Sequence, residues 1–418
     1  MPVIQIQGMK RLHGTIVIQG SKNGVLPVMA ASLLHKGTTV LTNVPVIQDV
    51  FCMMGILNSL GCICTLADHC LVIDAAQAHP GPVPEDLARQ MRSSIMLLGP
   101  MLGRFGTGQT SHPGGCLIGS RPIDLHLKGL KKLGAKIWEE GGVIQAEASG
   151  SAGLTGTQIH LTYPSVGATE NIIMAAALAQ GETVLLGAAR EPEIEILCQF
   201  LRAAGAEIEG EGTSRIRICG GRTLNDTKFF IPGDRIVAGT YLGAVLCAGG
   251  QVFLSGAPSE HMTASIQIAA KMGAEISVRD GGFSAASKGR PKAADFATGP
   301  YPGFSTDLQS VMMAAAAAAE GTSRIQERIF ENRFSTAKEL QKLGAHIIIN
   351  GETAIVEGTP FLKGAHVTAR DLRGGAALVA AGLAAEGITL VEGYRHISRG
   401  YEDICRDLQA VGAEIELV

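Results

Sequence analysis

A phrase of the form Leu-x-x-x-Gly-Ala-x-Ile recurs, with small variations, around Gly61, Gly134, Gly205, Gly273, Gly344 and Gly412. The successive spacings are 73, 71, 68, 71 and 68 residues. A second marker, a glycine followed by a β-rich segment, recurs at Gly37, Gly108, Gly181, Gly250, Gly321 and Gly387, spaced by 71, 73, 69, 71 and 66 residues. Two markers in phase over the whole length describe six copies of one supersecondary unit. Any fold for this chain has to be built by packing such units together.

Each copy reads alike. A short strand leads into an apolar helix that stops at the Gly37-type marker, where glycine is favoured because it accepts the left-handed conformation. A strand follows, as at residues 39–41, 183–186 and 252–255. An amphipathic helix comes next, with Val50, Met53, Leu57 and Leu60 at three- and four-residue steps and Asp49 placed to cap it. The Gly-Ala phrase ends that helix, and two strands complete the unit. The first helix of each copy is apolar nearly all round, as at 172–179, 241–247, 311–319 and 376–385, so it has to be buried on every side. Three such helices inside, with sheets outside, meet that demand; a central sheet flanked by helices does not. The expected fold is α/β, an inside-out arrangement of six repeats, three to a domain. The two similar domains part near Pro232-Gly233-Asp234, giving residues 21–232 and residues 233–418.

Composition narrows the function. The 35 basic and 38 acidic residues nearly balance, which gives no electrostatic footprint for nucleic acid, so an anionic ligand must be held by a few placed cations. Nine cysteines, an odd number spread over a long chain, suit reduced thiols in the cytoplasm and not a disulfide framework. The start, Met1-Pro2-Val3-Ile4-Gln5-Ile6, alternates like a strand and lacks a basic leader, so no signal peptide is expected. The longest apolar stretches fall short of a membrane span. No phosphate-binding loop or dinucleotide fingerprint follows a strand in the required form, and no cofactor is expected. Cys62, Cys64, His69 and Cys70 suggest a metal site superficially, but Cys62 and Cys64 align with Ala135 and Ile137 of the next repeat and read as buried strand positions.

One cysteine stands apart. In Gly114-Gly115-Cys116-Leu117-Ile118-Gly119-Ser120-Arg121-Pro122 a thiol lies in a glycine-rich segment with an arginine five residues on, a setting that favours thiolate character and proton transfer or nucleophilic chemistry.

The chain resembles the UDP-N-acetylglucosamine 1-carboxyvinyltransferase family of enolpyruvyl transferases, within the EPSP synthase-like superfamily. The residues that carry the likeness are Ser21-Lys22-Asn23, Asn43-Val44-Pro45 with Asp49, Met91-Arg92-Ser93-Ser94, and the Cys116 segment through His126. It continues in residues 164–169, 189–193, Thr306-Asp307, 330–334 and Arg399-Gly400-Tyr401-Glu402. The resemblance implies a two-domain inside-out α/β barrel, with residues 1–20 joining the C-terminal domain. It implies transfer of the enolpyruvyl group of phosphoenolpyruvate to the 3-hydroxyl of UDP-N-acetylglucosamine, with release of phosphate, in peptidoglycan precursor synthesis.

By that resemblance Cys116 is the general acid at C3 of phosphoenolpyruvate and can form a covalent adduct with it. Asp307 is the base for the sugar hydroxyl, although its place before an apolar helix also fits an N-cap. Lys22, Arg121 and Arg399 hold the phosphoenolpyruvate anions with Asn23 beside them, and Arg suits bidentate carboxylate and phosphate contacts. Arg92 and Arg333 fall at corresponding places in the repeat and complete the set of cations expected around one cleft. Arg121, Pro122, Ile123, Asp124 and Leu125, with Ser165, Val166, Gly167 and Ile329, are the expected nucleotide-sugar contacts, and residues 165–167 open a helix whose backbone N–H groups suit a diphosphate. Departures from the family pattern stand at Gln48, Tyr163, His112 and Ser305; none removes a residue with a catalytic role. Two other readings compete: a 3-phosphoshikimate 1-carboxyvinyltransferase on the same fold, for which no loop cysteine is expected, and a non-catalytic repeat protein, which needs no convergence of Cys116, Asp307 and the arginines.

Overall fold

The computed structural model describes residues 2–114, 118–119, 121–149 and 153–418. These divide into two units: one made of residues up to Gln19, residues 118–119 and Gly233–Val418, the other of residues 20–114 and 121–232.

In the second of these, three helices form the centre: Lys22–Ala31, Leu98–Phe105 and Val166–Leu178. The last buries every residue from Ala168 to Ala177, as its all-round apolar character requires. Three sheets cover them. Thr38–Thr42, Cys70–Asp74 and Ile63–Ala67 form one antiparallel set; Glu182–Leu186, Arg215–Cys219 and Glu207–Glu209 form another; Thr107–Ser111, Val143–Ala148 and Ala135–Glu140 form the third. Two of the repeats hand a strand to the sheet of the next, and the first meets the sheet of the second through a single parallel bridge between Pro82 and Gln109. Gln158–His160 pairs in parallel with Glu182–Leu186, and Thr227–Phe230 returns to pair in parallel with Thr38–Thr42, which closes the three repeats on themselves.

The other unit repeats this plan with central helices Arg235–Ala248, Gln309–Ala317 and Leu372–Ala384, which pack on one another. Here closure uses the start of the chain. Ile4–Gln7 lies antiparallel between Ile388–Glu392 and Glu414–Leu417, and Leu12–Val17 pairs in parallel with Gly250–Ser255. Ile4 and Ile6 are fully buried while Gln5 and Gln7 are half-exposed, the alternation expected of a strand covered on one face. The last repeat lacks a middle strand of its own, and the first residues supply it. Each unit has its own hydrophobic core. No described helix is long and apolar enough to cross a membrane.

The repeat markers have distinct structural reasons. All six glycines of the Gly-Ala phrase take positive φ, from 85° at Gly61 to 111° at Gly205, ending their helices in the left-handed conformation. The other marker behaves less uniformly than expected. Gly181, Gly250, Gly321 and Gly387 have positive φ, but Gly37 and Gly108 do not. At Gly37 the requirement is space: a Cβ would lie 2.0 Å from the Asp226 carboxylate, which accepts the Thr38 N–H at 2.7 Å.

Candidate active site

The residues expected at the site fall in both units. In the unit of residues 20–232, Lys22 opens its helix after Ser21, whose hydroxyl caps it by accepting the Gly24 N–H at 3.1 Å. The Lys22 ammonium lies 3.0 Å from the Asp49 carboxylate, with side chains only 12 % and 4 % exposed. This corrects the reading of Asp49 as a cap. The N-cap of Gln48–Ser59 is Ile47 without a side-chain bond, and Asp49, in the first turn, turns inward to Lys22. So sequestered a pair depends strongly on both partners. Asn23 follows, half-buried.

Arg92 begins the 3₁₀ turn Arg92–Leu97 and reaches the loop before the helix Asp124–Lys132. Its guanidinium donates to the carbonyls of Arg121 and, at 3.2 Å, Pro122. Burial, and then the charge of Arg121, push the Arg92 guanidinium down to about 10. Its visible work is to clamp the loop that carries Arg121, Pro122 and Ile123. Asp124 and Leu125 start the helix beyond; the exposed Asp124 accepts from Lys128 at 2.8 Å, which lowers its carboxyl. Ser165, Val166 and Gly167 form the N-terminus of Val166–Leu178, half-buried, with the Ser165 hydroxyl accepting the Ala168 N–H at 3.4 Å.

In the other unit Asp307 lies in the short turn Thr306–Leu308 that leads into Gln309–Ala317. It is not the cap: the Ser305 hydroxyl takes that place, accepting the Asp307 N–H at 3.3 Å. The Asp307 carboxylate is held by two guanidiniums. Arg333 donates to Oδ1 and also to the Thr306 carbonyl at 3.1 Å, while Arg373 donates to Oδ2 through Nε at 3.1 Å and Nη2 at 3.0 Å. Both arginines are almost wholly buried. Burial alone would lower the Arg373 guanidinium, but Asp307 and Tyr401 more than offset it and hold it above the usual range.

Two further layers fix this triad. Glu327, buried, accepts from the hydroxyls of Thr298 and Thr306 at 2.9 and 3.0 Å and from the N–H groups of Ile329 and Phe330 at 2.8 and 3.2 Å. One carboxylate thereby sets both the turn carrying Asp307 and the loop carrying Ile329. Behind Arg373, the Tyr401 hydroxyl lies 3.4 Å from Nη1 and 2.7 Å from Thr240 Oγ1. Thr240 donates its own proton to the Ile236 carbonyl at 2.9 Å, so the Tyr401 O–H donates to Thr240 and its oxygen accepts from Arg373. Arg399 is half-buried in the loop before Ile404–Gln409.

The structure thus brings together Asp307 with Arg333, and Arg92 with Arg121 and Pro122. Cys116 lies outside the described residues. Arg373, Thr240 and Glu327 were missed by sequence reasoning, and Tyr401 stood in a quoted motif without a role. Of the departures, Tyr163 and Gln48 are exposed, His112 pairs with Glu139 at 3.1 Å, and Ser305 supplies a capping hydroxyl. Cys62 and Cys64 are respectively buried and half-buried, and desolvation pushes their thiols up to about 11 and about 12.

The sequence pattern of the EPSP synthase (3-phosphoshikimate 1-carboxyvinyltransferase) family matches residues 6–408. The chain belongs to that family. Within the EPSP synthase family it is 46 % identical over 416 residues, 99 % of each chain, to UDP-N-acetylglucosamine 1-carboxyvinyltransferase 2 of Caldanaerobacter subterraneus subsp. tengcongensis. It is also 46 % identical over 420 residues, the whole of both chains, to UDP-N-acetylglucosamine 1-carboxyvinyltransferase of Saccharophagus degradans. Among solved structures, the enolpyruvyl transferase NikO of Streptomyces tendae superposes with a TM-score of 0.88 at 24 % identity, covering 100 % of this chain and 99 % of that one. An EPSP synthase of Acinetobacter baumannii gives 0.76 at 21 % identity, covering all of both chains. These superpositions support the inside-out α/β fold of the family.

Proposed function

We propose that the chain transfers the enolpyruvyl group of phosphoenolpyruvate to the 3-hydroxyl of UDP-N-acetylglucosamine and releases phosphate, in the cytoplasm, as the first committed step of peptidoglycan precursor synthesis. The observation that carries this is the end-to-end identity of 46 % with transferases bearing that name.

The reading assigns specific roles. Asp307 takes the proton of the sugar hydroxyl, whose oxygen attacks C2 of phosphoenolpyruvate while Cys116 delivers a proton to C3. The tetrahedral adduct then loses phosphate from C2 and a proton from C3, restoring the double bond. Lys22, Arg121 and Arg399, with Asn23, hold the phosphate and carboxylate of phosphoenolpyruvate. Arg92 shapes the loop 121–125 for the nucleotide, with Ser165, Val166, Gly167 and Ile329 as the other contacts. Arg333 and Arg373 position the Asp307 carboxylate.

Phosphate release from phosphoenolpyruvate, measured with UDP-N-acetylglucosamine and separately with shikimate 3-phosphate as acceptor, tests the reading. Release is expected with the nucleotide sugar alone. Release with shikimate 3-phosphate alone would overturn it.

A further inference from the structure

We infer that Glu327 is a positioning residue for the acceptor half of the reaction: its carboxylate ties the turn that carries Asp307 to the loop that carries Ile329 and Arg333, so that base, guanidinium and acceptor contact keep one spacing. This rests on the roles proposed above for Asp307 and Ile329 and gives a role to a residue that has none.

The ties form a closed circuit. Glu327 Oε1 accepts from Thr298 Oγ1 and from the N–H groups of Ile329 and Phe330, while Oε2 accepts from Thr306 Oγ1. The Thr298 hydroxyl itself accepts the Arg328 N–H at 2.9 Å, which leaves its proton for Glu327. On the other side of the circuit the Thr306 carbonyl accepts from Arg333 Nε at 3.1 Å, and Arg333 goes on to donate to Asp307 Oδ1. Thr306 is thus held to the same loop twice, by its hydroxyl through Glu327 and by its carbonyl through Arg333. A carboxylate only 2 % exposed is costly unless its oxygens are hydrogen-bonded, and both are.

The other repeats show that the fold does not require this arrangement. Glu327 directly follows the strand Thr322–Gln326. The corresponding residues of four other repeats are Asn43, Gly187, Gly256 and Gly393, all left-handed, with φ of 59°, 70°, 78° and 83°. In each, the last carbonyl of the strand accepts one N–H: Gln326 from Thr298, Thr42 from Ile231, Leu186 from Leu161, Ser255 from Ile18 and Glu392 from Ala369. The donor is a threonine beside Glu327 and apolar in the other four. The residue after the helix cap is Thr306 here and Lys22, Val166, Arg235 or Leu372 there. A carboxylate and both hydroxyls that donate to it therefore appear together in the repeat that carries Asp307. The other four make the same turn with glycine or, at Asn43, with an amide that donates to the Ile231 carbonyl.

The test uses the full chain and steady-state phosphate release with UDP-N-acetylglucosamine. Glu327→Gly installs the residue that three other repeats carry at this turn. Glu327→Gln keeps the ties, because its oxygen replaces Oε1 and its NH₂ donates to the Thr306 hydroxyl. Asp295→Ala, in the same repeat, is the structural control; it removes the acceptor of the Arg324 N–H at 2.7 Å. Glu327→Gly is expected to lower kcat about ten- to hundredfold, the effect of a displaced reacting group, with KM for phosphoenolpyruvate unchanged. Glu327→Gln should recover most of kcat, and Asp295→Ala should leave it unaffected. Unchanged kcat in Glu327→Gly overturns the inference, as does a fall that Asp295→Ala reproduces or that Glu327→Gln fails to recover. Should Glu327→Gly fail to fold, Thr306→Val and Thr306→Ser decide: valine should lower kcat and serine restore it, and equal turnover by the two overturns the inference. A wild-type chain that releases no phosphate with the nucleotide sugar refutes the functional reading itself. Normal wild-type turnover with an unaffected Glu327→Gly refutes only the positioning role.

Discussion

Replacing Asp307 by asparagine separates charge from shape at the centre of the arginine pair. The carboxylate, 24 % exposed, receives hydrogen bonds from two guanidiniums whose side chains are 3 % and 5 % exposed. An amide has one acceptor oxygen, and it is best used facing Arg373, whose Nε and Nη2 both converge on a single oxygen at 3.1 and 3.0 Å. The NH₂ then faces Arg333, donor against donor, leaving Arg333 only its bond to the Thr306 carbonyl. One charge-assisted bond is lost outright, about 1.5–3 kcal/mol. Breaking a buried ion pair completely costs about 3–5 kcal/mol. Because the amide keeps half the arrangement, about 3 kcal/mol is expected. For a unit of this size each kcal/mol moves the melting temperature by about 2–4 °C, so scanning calorimetry in phosphate-free buffer should show a fall of about 6–12 °C. Phosphate release should fall at least about a hundredfold, the usual contribution of a general base. A variant that melts within about 1 °C of wild type and turns over within about tenfold of it would refute both the energetic and the catalytic argument.

Tyr401→Phe removes the hydroxyl between Thr240 and Arg373 and should cost about 1–2 kcal/mol while lowering kcat more than it raises KM for either substrate; steady-state kinetics with unchanged kcat would remove Tyr401 from the support of Arg373. Burial, then Glu193 and Glu191, holds the Glu170 carboxyl well above its ordinary value of 4.5. Its folded form binds the proton more tightly than the unfolded chain, so its contribution is complete below pH 4.5 and is lost as pH rises toward the folded value. Glu170→Gln should therefore flatten the fall in stability as pH rises above 4.5, and stability profiles that stay parallel to wild type would contradict this. Cys116→Ala should abolish phosphate release whereas Cys116→Asp retains part of it, because a carboxylic acid can also deliver the proton; full activity in Cys116→Ala would remove the acid assignment.

Much of the fold was legible because repetition and burial leave marks at fixed intervals. The Gly-Ala glycines mark a left-handed helix end that side chains resist, so the same residue appears at the same place six times. The all-apolar helices could lie only at the centre. Gly37 was harder to read: glycine there answers to the Asp226 carboxylate, a neighbour 189 positions further along, and no local pattern carries that information. Asp49 shows the same limit. An acidic residue at the start of a helix looks like a cap from the sequence, and only the folded chain shows it turned toward Lys22.

Three buried polar residues that escaped notice share one property that was available in the sequence. Arg373 stands in Leu372-Arg373-Gly374-Gly375-Ala376, and Glu170 and Asn171 directly precede the apolar run that begins at Ile172. A helix with no polar face gives a charged or amide side chain no route to water, so such a residue must meet a partner inside or keep its proton. Arg373 meets Asp307, Asn171 meets His126 and two backbone groups, and burial with the charges of Glu193 and Glu191 raises the Glu170 carboxyl well above its ordinary value. Polar residues in an all-apolar helix were therefore the signal for buried polar pairing within each unit. Arg373 has its charge spoken for by Asp307 and Tyr401, which is why exchanging it for lysine, a point charge without the planar fork, should disturb Asp307 more than losing any single loop cation would.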